Sequence, residues 1–147
     1  MGYSLPASIG YSTSTSMSSI AIIGDGGLAL CLSELSMLEK HKLPILVVVL
    51  DNYGHSIQRQ TIETWLECRY TGVSTSDDLP SINIKKIATS FGLNVFTKLD
   101  DLLIDSSIQI LGPSLLYYMI PLEERCFPNA VFGQSLHNPL TKTAVDP

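Results

Sequence analysis

Two short, uninterrupted apolar runs constrain this chain more than any other feature. Ser19 to Ile23 (SIAII) is the first and Ile45 to Leu50 (ILVVVL) is the second. Between them lie Gly24-Asp25-Gly26-Gly27 and a segment with apolar residues at Leu28, Cys31, Leu32, Leu35 and Leu38, one face of a helix. Strand, glycine turn, helix, strand is a βαβ unit, and continuous apolar strands belong to a parallel sheet buried on both faces. The expected fold is therefore α/β, an open and mainly parallel sheet flanked by helices. A length of 147 residues suits a single domain with one core.

In such a sheet ligands bind beyond the carboxyl ends of the strands. The glycine turn and the polar pair Asp51-Asn52 both follow a strand directly. The glycines Gly24, Gly26 and Gly27 let backbone N–H groups approach a ligand without a Cβ in the way. A helix N-terminus at the same spot favours phosphate. Asp25 conflicts with that, because a carboxylate repels the anion unless a cation stands between them. Mg²⁺ resolves the conflict, since it takes carboxylate, amide, main-chain and phosphate oxygens together. Asn52 offers an amide oxygen if the two strands are neighbours, and the carbonyl of Gly54 offers another. The residues thus describe a metal-bridged diphosphate site. Two other readings stay open. Gly24-x-Gly26-x-x-Ala29 with Asp51 ending the next strand matches a dinucleotide fingerprint, and a tight turn with no ligand has the same glycines. No Walker A lysine motif occurs.

These residues carry a resemblance. Gly24-Asp25-Gly26 and an Asp51-Asn52 pair ending 27 residues after Asp25 resemble the thiamine-diphosphate motif, a GDG followed by paired asparagines. The surrounding sequence resembles the C-terminal cofactor domain of acetolactate synthase-like enzymes. Met1 to Gly10 (MGYSLPASIG) is similar to that family's MGxxLPAAIGA, Ser33-Glu34-Leu35 to its QEL, and Leu43-Pro44-Ile45 to its LPI. Ile57 to Thr61, Thr64 to Leu66, Arg69-Tyr70, Phe127 to Asn129 and Phe132-Gly133 extend the likeness to about Leu136. The resemblance implies Mg²⁺ held by Asp25, Asn52 and the Gly54 carbonyl, diphosphate contacts from Gly26 and Gly27, and Met1 beneath a bent cofactor. It implies a 2-oxo acid substrate and a homo-oligomer, or a partner chain that carries the pyrimidine-binding domain and its activating glutamate. Glu34, Glu39, Glu63 and Glu67 do not occupy that glutamate's motif. On this reading the chain is truncated at its N-terminus, lacks an edge strand, and is inactive in isolation. A non-catalytic remnant or interaction module of the same family is the alternative. Two departures stand out: Asp51 replaces the first asparagine, and Tyr11 to Ser18 is rich in Ser and Thr.

Composition narrows the partners. A net charge of −5 argues against nucleic acid. The longest apolar run is too short for a membrane span, and no signal peptide is recognisable. Cys31, Cys68 and Cys126 fit no metal spacing and suggest a reducing, cytoplasmic setting.

Elsewhere the pattern predicts a helix from about Leu5 that fades across Ser12 to Ser16, where Ser and Thr compete for the backbone. Tyr53 to Pro80 is weakly periodic and reads as a long functional loop. In it Trp65, Arg69 and Tyr70 either cover a cofactor or pack, and His55 either meets substrate or phosphate or is a plain loop residue. Ile84, Ile87, Ala88 and Phe91 predict a helix closed by Gly92. Asn94 to Thr97 predicts a strand, Leu99 to Ile110 a helix, and Ser114 to Ile120 a final strand. The α/β domain is expected over residues 1–120, with 121–147 an extended tail that docks on a neighbour.

Overall fold

The structure is a computed structural model that describes residues 1–104, 107–108, 110–128 and 137. Four strands make a wholly parallel sheet: β1 (Ser19–Gly24), β2 (Ile45–Asp51), β3 (Asn94–Phe96) and β6 (Ser114–Met119). Their spatial order is β1-β2-β6-β3. The helices are α1 (Ser4–Thr15), α2 (Asp25–Ala29), α3 (Leu35–Lys40), α4 (Ser56–Trp65) and α5 (Ile84–Ser90). A two-stranded antiparallel ribbon, β4 (Leu103–Ile104) with β5 (Ser107–Ile108), stands apart. The α/β fold with a parallel sheet and flanking helices is as expected.

The sheet's two faces are covered unequally. Ala21, Ile23, Ile45, Val47, Val49 and Leu115 face the main core, where Leu5, Leu28, Leu35, Leu38, Ile84 and Ala88 bring in α1, α2, α3 and α5. On the other face, Leu46 and Leu116 pack with Leu102, alongside Val48, Phe96 and Ile110. Buried side chains on both faces explain why β2 reads as an unbroken apolar run; β1 departs from the expectation, because Ile20 and Ile22 on its second face are exposed.

Four local expectations are corrected. First, α1 runs through Thr15. Its hydroxyls bond back to the helix, Ser14 Oγ and Thr15 Oγ1 both donating to the Tyr11 carbonyl at 3.0 and 2.8 Å, so they no longer compete with it. Buried Ser12 meets Ser19 Oγ at 3.0 Å and ties the helix to the start of β1. Second, the helix expected from Leu28 is broken. Cys31 leaves helical geometry at φ −134°, and a 3₁₀ turn over Leu32–Glu34 leads into α3. The apolar spacing survives because a 3₁₀ turn also brings every third residue to one side. Third, α4 occupies the stretch read as loop. It buries only Ile62, while Ile57 and Trp65 stay exposed, so its apolar residues do not mark a core-facing side. Fourth, Leu99 to Ile110 is not helical. A 3₁₀ turn over Leu99–Leu102 gives way to the β4–β5 ribbon, and Leu102 is its buried anchor. Residues 105, 106 and 109 lie outside the described ones.

Helix α5 ends as predicted. Gly92 adopts φ +82°, and Leu93 N–H reaches back to the Ala88 carbonyl at 3.0 Å. Residues 121–126 turn back along α4. Ser56 Oγ donates to the Leu122 carbonyl at 3.2 Å, and Gln60 exchanges two bonds with the Cys126 backbone at 3.2 and 3.1 Å. Expectations for residues 129–136 and 138–147 lie outside the described residues. No helix among the described residues is long and apolar enough to cross a membrane.

Candidate functional site

The β1–β2 register sets the site. Gly24 lies opposite Leu50, so the turn after β1 and the pair ending β2 arrive at one sheet edge. Asp25 Oδ2 and Asn52 Oδ1 both accept from the single Gly54 N–H, at 3.0 and 3.1 Å. Two oxygens that share one donor stand side by side. Gly54 itself is pinned from behind: a Cβ there would collide with the Val73 carbonyl and come within 3.0 Å of Ser74 Cα. Only glycine lets these backbones touch.

The glycine turn lies beside this group. A Cβ on Gly26 would sit 2.6 Å from His55 Nδ1 and 3.6 Å from Met1 Cε. Met1 and His55 are thus both brought to Gly26, although Met1 stays 86 % exposed. A Cβ on Gly27 would press on Ile23 Cγ1 at 3.0 Å. Helix α2 begins at Asp25 but has only 5 residues. Its macrodipole is accordingly small, and any anion here depends on individual N–H groups more than the sequence reading supposed. A cavity of about 170 Å³ opens beside the turn, lined by Asp25, Gly26, Asp51, Tyr53 and His55 and closed by Leu79 and Ile82.

Asp51 is the residue whose role the sequence left open. It is 3 % exposed. Tyr117 OH donates to its Oδ2 at 2.9 Å and Tyr53 N–H to its Oδ1 at 2.9 Å. Each oxygen accepts one hydrogen bond and the residue is largely buried, so Asp51 ties the end of β2 to Tyr53 and Tyr117. Burial first, then hydrogen bonding with Tyr53 and Asp51, push the Tyr117 hydroxyl well up, which keeps it a protonated donor. The 66 residues between Tyr117 and Asp51 hide this pair from any local pattern.

Burial also raises the Asp25 carboxyl above its ordinary 3.8, and the Asp51 charge adds to the rise, against the opposing N–H groups of Gly26 and Gly54. A raised carboxyl disfavours the charged native state. Its cost is full above the raised pKa and vanishes below 3.8. Asp25→Asn is therefore expected to melt higher than wild type near neutral pH. The gain is small, because solvent screens a half-buried group. The gap should close as pH falls towards 4, and parallel thermal melts across pH check it.

A second cluster holds α4 in place. Glu63 receives Arg59 Nε at 3.0 Å, Tyr70 OH at 2.9 Å and Arg125 at 2.7 Å. Arg59 also lies over the Tyr70 ring, 4.5 Å from its centre. Burial pushes the Glu63 carboxyl up, but Tyr70, Arg59 and Arg125 together outweigh it and hold it low. Tyr70 and Arg59 are therefore packing residues here, while Arg69 pairs with Glu67 at the surface. Glu63→Ala leaves two guanidinium groups facing each other, and an expected loss of about 2 kcal/mol is readable by urea unfolding.

The donor set suits a hard cation. It brings a carboxylate oxygen and an amide oxygen together, with no sulfur beside them. Among the described residues no group of three or more His, Cys, Asp or Glu side chains gathers, so a softer all-side-chain metal centre has no counterpart there.

Fold and cavity first define a class, an α/β domain with its ligand crevice at the carboxyl ends of parallel strands. Residues 1–110 match the family model described as thiamine pyrophosphate enzyme, C-terminal TPP binding domain, and the chain belongs to this family. It is 30 % identical over 140 residues to the acetolactate synthase large subunit of Porphyra purpurea, covering 92 % of this chain and 23 % of that protein. It is 27 % identical over 147 residues to the acetolactate synthase isozyme 2 large subunit of Escherichia coli (strain K12), 97 % of this chain and 26 % of that protein. A 61-residue stretch, 41 % of this chain, is 36 % identical to 11 % of a probable pyruvate decarboxylase of Schizosaccharomyces pombe. The chain thus spans about a quarter of the length of the acetolactate synthases it matches.

Proposed function

We propose that this chain binds the diphosphate of thiamine diphosphate through Mg²⁺, as the cofactor domain of an acetolactate synthase-like enzyme. Asp25 and Asn52 hold the metal by their side chains and Gly54 by its carbonyl. Gly24, Gly26 and Gly27 leave the backbone open to the phosphates, and Met1 lies against the cofactor. What supports this reading is the convergence of Asp25 Oδ2 and Asn52 Oδ1 on one N–H, at a strand edge of a chain with this family membership. Bound thiamine diphosphate supplies the electron sink that lets a 2-oxo acid lose carbon dioxide and be joined to an acceptor. The chain's own share is to hold the metal and fix the diphosphate. Other domains or a partner chain complete the enzyme and its oligomer. The expected compartment is the cytoplasm.

Calorimetric titration of the purified chain with thiamine diphosphate, with and without Mg²⁺, tests the reading. Binding that requires Mg²⁺ is the expected result. No binding, even with a pyrimidine-domain chain added, would favour a remnant that keeps the fold alone.

A further inference from the structure

Two carboxylates, Asp25 and Asp51, line the cavity beside the glycine turn, and among the described residues no lysine or arginine does. An anion entering this space therefore depends on a bridging cation and on neutral donors. His55 is the one residue in that lining with side-chain nitrogens. Its backbone is fixed, since His55 N–H donates to the Val73 carbonyl at 2.7 Å and its own carbonyl receives Arg59 N–H at 2.8 Å at the start of α4. Its ring lies against Gly26, with Nδ1 2.6 Å from where a Cβ would be. The lining also offers the hydroxyls of Tyr53, Thr75 and Ser81. Gly26 is thus glycine for a reason besides backbone approach: it makes room for this imidazole.

Resting on the metal-bridged diphosphate reading, we propose that His55 is a phosphate-binding residue. Its imidazole N–H would donate to a diphosphate oxygen in the cavity that His55 and Asp25 both line. A neutral imidazole has one N–H and suffices for this. The His55 backbone is fixed at the start of α4, and the ring lies against Gly26. The diphosphate is then recognised by the bridging cation and by the imidazole together.

The test uses the full chain with Mg²⁺ and inorganic pyrophosphate as probe. H55F keeps a flat ring against Gly26 but has no N–H, while H55Q keeps an N–H donor. H55F is expected to bind magnesium pyrophosphate roughly 10- to 100-fold more weakly, the worth of one hydrogen bond to a charged group, with H55Q nearer wild type. Equal affinity in H55F and wild type would overturn the proposal and leave the metal reading standing. Weakening by H55F and H55Q alike would show a packing role and also overturn it. As a measurement free of any variant, the imidazole ¹⁵N signals of His55 should move as magnesium pyrophosphate is added to wild type. Signals that stay fixed while the probe binds would overturn the proposal, and a wild type that takes up no magnesium pyrophosphate would overturn it together with the metal reading.

Discussion

Asp25→Ala is expected to lower Mg²⁺-dependent binding of thiamine diphosphate by more than about 100-fold while the chain stays folded. A divalent cation at this site draws its charge compensation mainly from carboxylate, and loss of an inner ligand of this kind costs at least the 10- to 100-fold attached to outer-shell partners. The fold does not need the carboxyl. Gly54 N–H keeps a second acceptor in Asn52 Oδ1 at 3.1 Å, and burial makes the charged Asp25 a native-state cost. Lost binding with an unchanged or raised melting temperature is therefore the signature. Asn52→Ala should lose binding in the same way, through the amide oxygen. Calorimetry beside a thermal melt reads both quantities, and normal binding by both variants would refute the metal assignment.

The second large effect falls on stability. Gly54→Ala is expected to cost about 3 kcal/mol or more, in the range of severe backbone and overpacking changes. The added methyl meets main-chain atoms of Val73 and Ser74 and, at 3.3 Å, Leu122 Cδ1. Backbone atoms in a bridge cannot rotate away, and Gly54 pairs with Ser74 in an isolated β-bridge. Relief requires moving the Gly54 segment away from the Val73–Ser74 backbone it bridges, and away from Leu122. Gly26→Ala is the control, because its obstacle is the ring of His55, a side chain that can turn aside. Its cost should be well below that of Gly54→Ala in a urea titration, although the displaced imidazole should weaken pyrophosphate binding. Equal costs for the two variants would show that the Gly54 contact yields more readily than its geometry implies.

Much of the architecture was legible because burial leaves a mark in sequence. Ile45 to Leu50 is apolar throughout because helices pack on one face of the sheet and Leu102 and Ile110 on the other. Ile84, Ile87, Ala88 and Phe91 announced α5 for the same reason. Where burial is slight the pattern failed. Helix α4 turns only Ile62 inward and is held by Arg59, Glu63 and Arg125, two of them 62 residues apart. The Leu99 to Ile110 segment has helix-like spacing, yet a single anchor, Leu102, decides its course.

The sequence by itself determined a parallel sheet, a glycine turn after β1, and oxygen donors at Asp25 and Asn52, because strand hydrophobicity and turn chemistry are local properties. Only the tertiary structure decided that those two oxygens share one N–H, that Asp51 accepts the Tyr117 hydroxyl, and that His55 lies against Gly26. Each of these depends on strand register and on chain segments meeting across long separations. Packing settles such meetings in three dimensions, and no spacing along the chain encodes them.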